Sequence, residues 1–292
     1  MARLREIAGV YRGGPLHWIG DGFRVSTYFP SGSSLDARVN PFLLMDYHPP
    51  YDYPPTVGGR RGVGPHPHRG FETVSLVWEG CVAHHDNAGH AGVIGPGDVQ
   101  WMTAASGVLH KEYHQRDFAL LGGRMHSLQL WVNLPGIHKM DAPRYQALTA
   151  AQIGSSDLPC GAGLVRVIAG QFGAIRGPAQ SFTPITLLDV QLNAGGRLPL
   201  SFPARQNTLL LVMSGRLAVN ECAVGALDLV SFANAGDDIE LTAQERAHLL
   251  VLSGEPINEP VVFHGPFVMS TEEEIMRAVS DFNSGKFGRL PD

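Results

Sequence analysis

The chain has 292 residues, 35 of them glycine and 21 proline, and a formal net charge of −5 with no basic cluster. That length suffices for two cores of ~150 residues each, and the charge gives no electrostatic support for direct binding to nucleic acid. No apolar run approaches the ~20 residues of a membrane-spanning helix, and Cys81, Cys160 and Cys222 form no C-x-x-C pair, so a reduced cytoplasmic protein off the membrane is expected.

The chain opens on "MARLREIAGVYRGG", which lacks the apolar core of a signal peptide. Glycines and prolines then punctuate short apolar runs along its whole length, the pattern of an all-β fold. At 66–72, "HPHRGFE" packs two histidines and a carboxylate around Pro67, on a segment that must be extended. "FETVSLVWEG" (71–80) reads as a strand with Val74, Leu76 and Trp78 on one face, ending at a Glu-Gly turn. "AHHDNAGHAG" reads as a polar loop in which His84, His85 and His90 are solvated. "VQWMT", then a Ser106-Gly107 turn, lead to "VLHKEYH", where His110 and Glu112 repeat the spacing of two. "SLQLWVNLPG" (127–136) alternates before a Pro-Gly stop, and Lys139 to Gly163 reads as a crossover.

"NTLLLVMSG" (207–215) is a nearly continuous apolar strand. Laying Gly80 on Gly215 puts Glu72 on Asn207, and His66 and His68 on Ser201 and Pro203. Downstream, "GPGDVQW" (95–101) resembles "VGALDLVSF" (224–232). A duplicated β-barrel domain follows, its second copy without the histidines: residues 1–138, a linker at 139–163, and residues 164–292. Near 271–284, "MSTEEEIMRAVSDFNSG" predicts one helix, with Ser270 and Glu273 at capping-box spacing and Gly285 as its stop. Ile275, Val279 and Phe282 would pack it across the outside of a barrel.

Residues two apart on a strand point the same way, so His66 and His68 project from one face about 7 Å apart along the backbone. With His110 and Glu112 they offer three neutral imidazoles and one carboxylate. That set suits Fe(II), Mn, Co, Ni, Cu or Zn better than Ca or Mg. His126, His138, His248 and His264 show no partner pattern.

"HPHRGFET", "GPGDVQWMTAASGVLHKE", "LQLWVNLP" and "GPFVMSTEEEI", in that order, resemble the pirin family of bicupins, from "NPFLLMDY" to "FNSGKFG". "MDYH" departs from a more usual acidic-aromatic pair. The resemblance implies two jelly-roll cupin barrels in tandem, one divalent transition metal in the first, Fe(II) foremost, and an empty second barrel. It implies His66, His68, His110 and Glu112 as the ligands, with Glu112 also the catalytic carboxylate. Pirins are similar to quercetinases, which implies a dioxygenase cleaving a flavonol such as quercetin, or a related enol, with O₂. The alternative it carries is a non-enzymatic, metal- or redox-dependent regulator that binds a transcription factor or a metabolic enzyme. A cupin isomerase or a vestigial metal protein is a third reading.

Trp101, Met102, Gln129 and Trp131 are candidates for the pocket wall, each also readable as barrel core, and His114 for a group behind the ligands. Glu72 has the parity of the histidines but lies four residues of strand beyond His68, ~13 Å at 3.3 Å each. It is therefore expected to support the site or the fold rather than to ligate.

Overall fold

A computed structural model describes residues 3–29 and 36–292. It is mostly β, with its contacts grouped into two compact units. The first contains Phe42–Ala150 and the second Ala151–Pro256.

The first unit closes a seven-stranded sheet over a four-stranded one. The large sheet runs Arg144–Leu148, Val99–Thr103, Phe71–Glu79, Gly123–Asn133, Phe42–Tyr53, Phe23–Phe29, His17–Ile19. The small one runs Gly62–His68, Val108–His114, Val82–Asp86, Ala91–Ile94. The second unit repeats this plan. Its seven-stranded sheet runs Ile7–Arg12, Asp228–Phe232, Asn207–Ser214, Ala247–Gly254, Ile185–Leu192, Gly163–Ala169, Ser155–Asp157, and its small sheet begins Arg197–Ser201, Asp238–Ala243.

Strand Phe71–Glu79 thus corresponds to Asn207–Ser214 and Val99–Thr103 to Asp228–Phe232, as the internal alignment expects. In the second unit the four-stranded sheet turns Leu198, Leu200, Ile239 and Leu241 into a continuous apolar core. They occupy the strands that in the first unit carry imidazoles, so among the described residues this interior is filled by hydrocarbon.

Three features differ from the sequence reading. The expected boundaries assign each terminus to the nearer barrel, whereas the contacts do the reverse. Ile7–Arg12 pairs with Asp228–Phe232 in the second unit, and Ile257–Asp292 groups with the first. The crossover is not a bare linker: Arg144–Leu148 is an edge strand on Val99–Thr103, and Ser155–Asp157 pairs with Gly163–Ala169. Finally, the helix spans Glu272–Asn283, and its capping box is Thr271 with Glu274, one residue later than expected. Thr271 Oγ1 accepts from the Glu274 amide at 3.2 Å, while the Glu274 carboxylate accepts from the Thr271 amide at 3.2 Å. Gly285, at φ +78°, supplies the left-handed stop. The helix buries Ile275 and Ala278 against Phe267, Met269, Phe287 and Leu109. Leu109 lies between the two valine- and histidine-bearing positions of Val108–His114, so the helix backs the strand that carries His110.

Candidate metal centre

Strand alternation builds the centre. On Val108–His114, residues 108, 110, 112 and 114 are buried, with Lys111 and Tyr113 turned outward and half-buried. Pairing with Gly62–His68 sets His110 opposite His66; pairing with Val82–Asp86 sets Glu112 opposite His84. Ring centroids lie 4.9 Å apart for His66 and His68, 4.2 Å for His66 and His110, and 4.7 Å for His68 and His110.

Ligand atoms of His66, His68 and His110 fall within 4.8 Å of one another, and so do those of His84, His110 and Glu112. The four expected residues therefore share one neighbourhood, joined through His110, and a fifth group, His84, is there with them. Burial and the neighbouring histidines hold the His68 and His110 imidazoles well below the usual histidine range, so both are neutral lone-pair donors. His110 Nε2 is buried with no hydrogen-bond partner among the described residues. An orphaned nitrogen beside two further imidazoles and a carboxylate fits a divalent transition metal.

Glu112 is held from three sides. Gln129 Nε2 donates to Oε2 at 3.0 Å, while Ser75 Oγ and Gln100 Nε2 approach Oε1 at 3.4 and 3.5 Å. These donors orient the carboxylate.

His84 corrects the expectation of a solvated loop. Val82, His84 and Asp86 are alternately buried on a strand, with Ala83 and His85 turned outward; polar identities hid the period of two. His84 is 2 % exposed and stacks on Tyr145. Its Nε2 faces Asp86 Oδ2 at 3.3 Å, and its Nδ1 faces Gln100 Nε2 at 3.3 Å and His110 Nδ1 at 3.4 Å. With His84 donating from Nε2 to Asp86, its single Nδ1 lone pair is shared between the Gln100 and His110 donors. His110 then donates from Nδ1 and keeps the Nε2 lone pair inward. Asp86 is buried, yet hydrogen bonds from His84 and His90 outweigh that burial and keep its carboxyl below the usual range. Replacing His84 with phenylalanine is expected to lower metal affinity 10–100-fold, read by competition with a chelator. Unchanged affinity in a folded variant would leave His84 without this orienting role.

The cavity over the cluster holds about 340 Å³ and is mainly apolar, with Phe23, Val63, Val77 and Leu128 in its wall. Gln129 and Trp131 line it. Trp101 and Met102 do not. Trp101 points to the opposite face of its strand from Gln100, which faces Glu112, and Met102 packs into core with Ala104, Val108 and Tyr145. His114 is also off the cavity: its Nε2 meets Gly22 O at 2.7 Å, and its ring lies against Phe23, Tyr53 and Phe118. Asp46 and His48 line the cavity and were not singled out in the sequence. Of the histidines with no legible pattern, His126 meets Tyr47, His138 meets Asp141 and His248 meets Asp189.

Glu72 faces away from the cavity, opposite Ser75 and Val77 on its strand. Parity with the histidines is broken at Gly70, whose φ of +88° and approach to Val268 O leave no room for a side chain. Thr103 Oγ1 donates to Glu72 Oε1 at 2.7 Å, and burial pushes its carboxyl up to about 7. Above its unfolded value the unfolded chain ionises first, so stability falls as pH rises from about 4.5 to 7. Glu72→Gln is expected to remove that slope, gaining about 3 kcal/mol over wild type between pH 5 and 8. Denaturant titrations at the two pH values measure it; an equal difference at both would refute the buried, protonated Glu72.

The sequence profile of the Pirin family matches residues 22–132, and that of the Pirin C-terminal cupin domain matches residues 187–288. A Pseudomonas aeruginosa protein with a provisional quercetin 2,3-dioxygenase name is 49% identical over 98% of this chain and 99% of its own. The Homo sapiens protein named Pirin is 38% identical, over 86% of this chain and 84% of its own. The crystal structure of a quercetin 2,3-dioxygenase from Acinetobacter baumannii superposes with a TM-score of 0.95 at 42% identity, over 99% of this chain and 100% of that one.

Proposed function

This chain belongs to the pirin family, and on that premise we propose that it is a mononuclear metal-dependent dioxygenase that cleaves a flavonol such as quercetin, or a related enol, with O₂. The observation that carries the reading is a pair of metal-ligating triads, His66–His68–His110 and His84–His110–Glu112, joined at His110 under an apolar cavity of about 340 Å³. That volume takes one small aromatic molecule. The names of the Pseudomonas and Acinetobacter relatives support the same chemistry.

His66, His68, His110 and Glu112 would hold the metal, for which Fe(II) is our first choice among the transition metals that this donor set suits. A bound metal of this class supplies open positions and a Lewis acidity that lowers the pKa of an enol oxygen. Glu112 receives the enol proton at Oε1, the oxygen with only long contacts. Gln129 fixes the other oxygen, so the carboxylate turns little during transfer. Trp131, tilted over Phe71 with centroids at 4.2 Å and beside His68, gives a flat wall for an aromatic ring. The apolar lining keeps bulk water from the reacting oxygen. Three unpaired cysteines accord with a cytoplasmic setting.

Oxygen uptake with a flavonol panel, on protein loaded in turn with Fe(II), Mn and Cu, tests the reading. Metal-dependent turnover is expected. Metal binding with no turnover would favour the regulator instead. Metal analysis should find no more than about one equivalent per chain, because the second interior is apolar. A second equivalent surviving joint replacement of His66 and His68 would overturn that count.

A further inference from the structure

The cavity has a second polar end. Facing inward along strand Gly123–Asn133 are Trp131, Gln129 and Ser127, paired in register with Leu44, Asp46 and His48 of strand Phe42–Tyr53. Trp131 lies beside His68 and Gln129 holds Glu112. Ser127 and His48 come one inward position further on, about 7 Å along the strands. The wall at that level is otherwise Val77, opposite Ser127, with Phe23 against the His48 ring.

His48 uses only one nitrogen there. Its Nδ1 is bonded to Ser127 Oγ at 2.8 Å, and its Nε2 has no hydrogen-bond partner among the described residues. Asp46 accepts from Thr27 Oγ1 at one carboxyl oxygen, and its other oxygen likewise has no such partner. Both side chains line the cavity, two apart on one strand face. Burial and the nearby His126 and His114 hold His48 down to about 3, so it is a neutral imidazole. A buried polar atom left unpaired by its ligand is costly, and a site with such atoms selects ligands that satisfy them.

We infer that His48 and Asp46 form the specificity end of the cavity, reading a hydroxyl group on the substrate ring remote from the metal cluster. This rests on the proposed function, which puts the enol at Glu112. A ring attached beyond the enol then reaches the His48 level, where an unsubstituted ring leaves Nε2 unmet, while the Asp46 oxygen, in register with Gln129, lies one inward position nearer the cluster. Flavonols hydroxylated on that ring are the preferred class.

The test compares quercetin with galangin, the flavonol lacking hydroxyls on that ring, in wild type, His48→Phe and His48→Gln, each loaded with metal. Wild type should favour quercetin in kcat/KM by about tenfold or more, one well-placed hydrogen bond's worth. His48→Phe should bring the ratio to within about threefold of unity with metal content unchanged, and His48→Gln, which keeps a polar atom at this depth, should restore part of it. Calorimetric binding of the same two flavonols to Zn-loaded protein separates this inference from the proposed function. Selective binding lost in His48→Phe, with no turnover anywhere, would support the specificity end and refute the dioxygenase. Turnover with an unchanged ratio in His48→Phe would overturn the specificity end and leave the dioxygenase standing. Failure of both flavonols to bind would overturn both.

Discussion

Glu112→Ala is expected to leave purification with less than about a tenth of the wild-type metal, whereas Glu72→Ala should retain nearly all of it. The proposed centre has one anionic donor among neutral imidazoles. Removing it takes away both a ligand and the charge that offsets a divalent cation in a buried place, a larger loss than the 10–100-fold typical of groups behind the ligands. The empty volume would also leave Gln129 Nε2, now 3.0 Å from the carboxylate, without its acceptor. Glu72 faces the other side of its strand and bonds to Thr103, so its removal acts on the fold and not on the ion. Metal content of the two purified variants, with affinity by chelator competition, separates the carboxylates. A loaded Glu112→Ala beside a metal-free Glu72→Ala would reverse the assignment. Glu112→Gln refines the result: it keeps shape and the contact with Ser75 but drops the charge, so metal retained with turnover lost by more than about 100-fold would isolate the proton-transfer role.

The duplicated barrel was legible because a glycine turn closes corresponding strands in both copies, Gly80 after Phe71–Glu79 and Gly215 after Asn207–Ser214, and this sets the register in which the large sheets correspond. The two H-x-H and H-x-E pairs were legible because a period of two on a strand is a local property. What escaped was non-local. His84 looked like loop chemistry since its neighbours His85 and Asp86 are polar, and only pairing of Val82–Asp86 with Val108–His114 turns it toward Glu112. Asp46 and His48 lie on the cavity face of a strand buried on both faces, a pattern that hydrophobic alternation cannot flag. Trp101 and Met102 failed as pocket candidates for a related reason. Every residue of Val99–Thr103 is buried, so burial does not say which face meets the cavity. The exchange of terminal segments between the barrels was also out of reach, because short edge strands such as Ile7–Arg12 carry little periodicity of their own.

Lys139→Met is expected to cost at least about 3 kcal/mol of stability. Lys139 is 2 % exposed, yet its ammonium meets three acceptors: Gly70 O at 2.8 Å, Asn133 Oδ1 at 2.7 Å and Val268 O at 3.1 Å. Burial lowers Lys139 to about 7, and in the protonated form below that pH it has three donors and no acceptor, so the match is complete. Methionine fills a similar volume but donates nothing, leaving three buried acceptors at roughly 1–3 kcal/mol each against a modest apolar gain. For a chain of this size that is a fall in Tm of about 6–12 °C. The position also bears on the centre. Gly70 follows His68 and Arg69 and is the turn that separates the histidine strand from Phe71–Glu79, while Val268 belongs to the hairpin packed on Phe71. Lys139 thus ties the turn beside a proposed ligand to the C-terminal segment, where Arg69 makes a second tie through Asp281 at 2.9 Å. Asn133→Ala, which removes one acceptor and leaves two, should cost about a third as much. Melting curves of the two variants decide the matter: a Lys139→Met protein that melts within about 2 °C of wild type would show that the three-way clamp contributes nothing measurable to the fold.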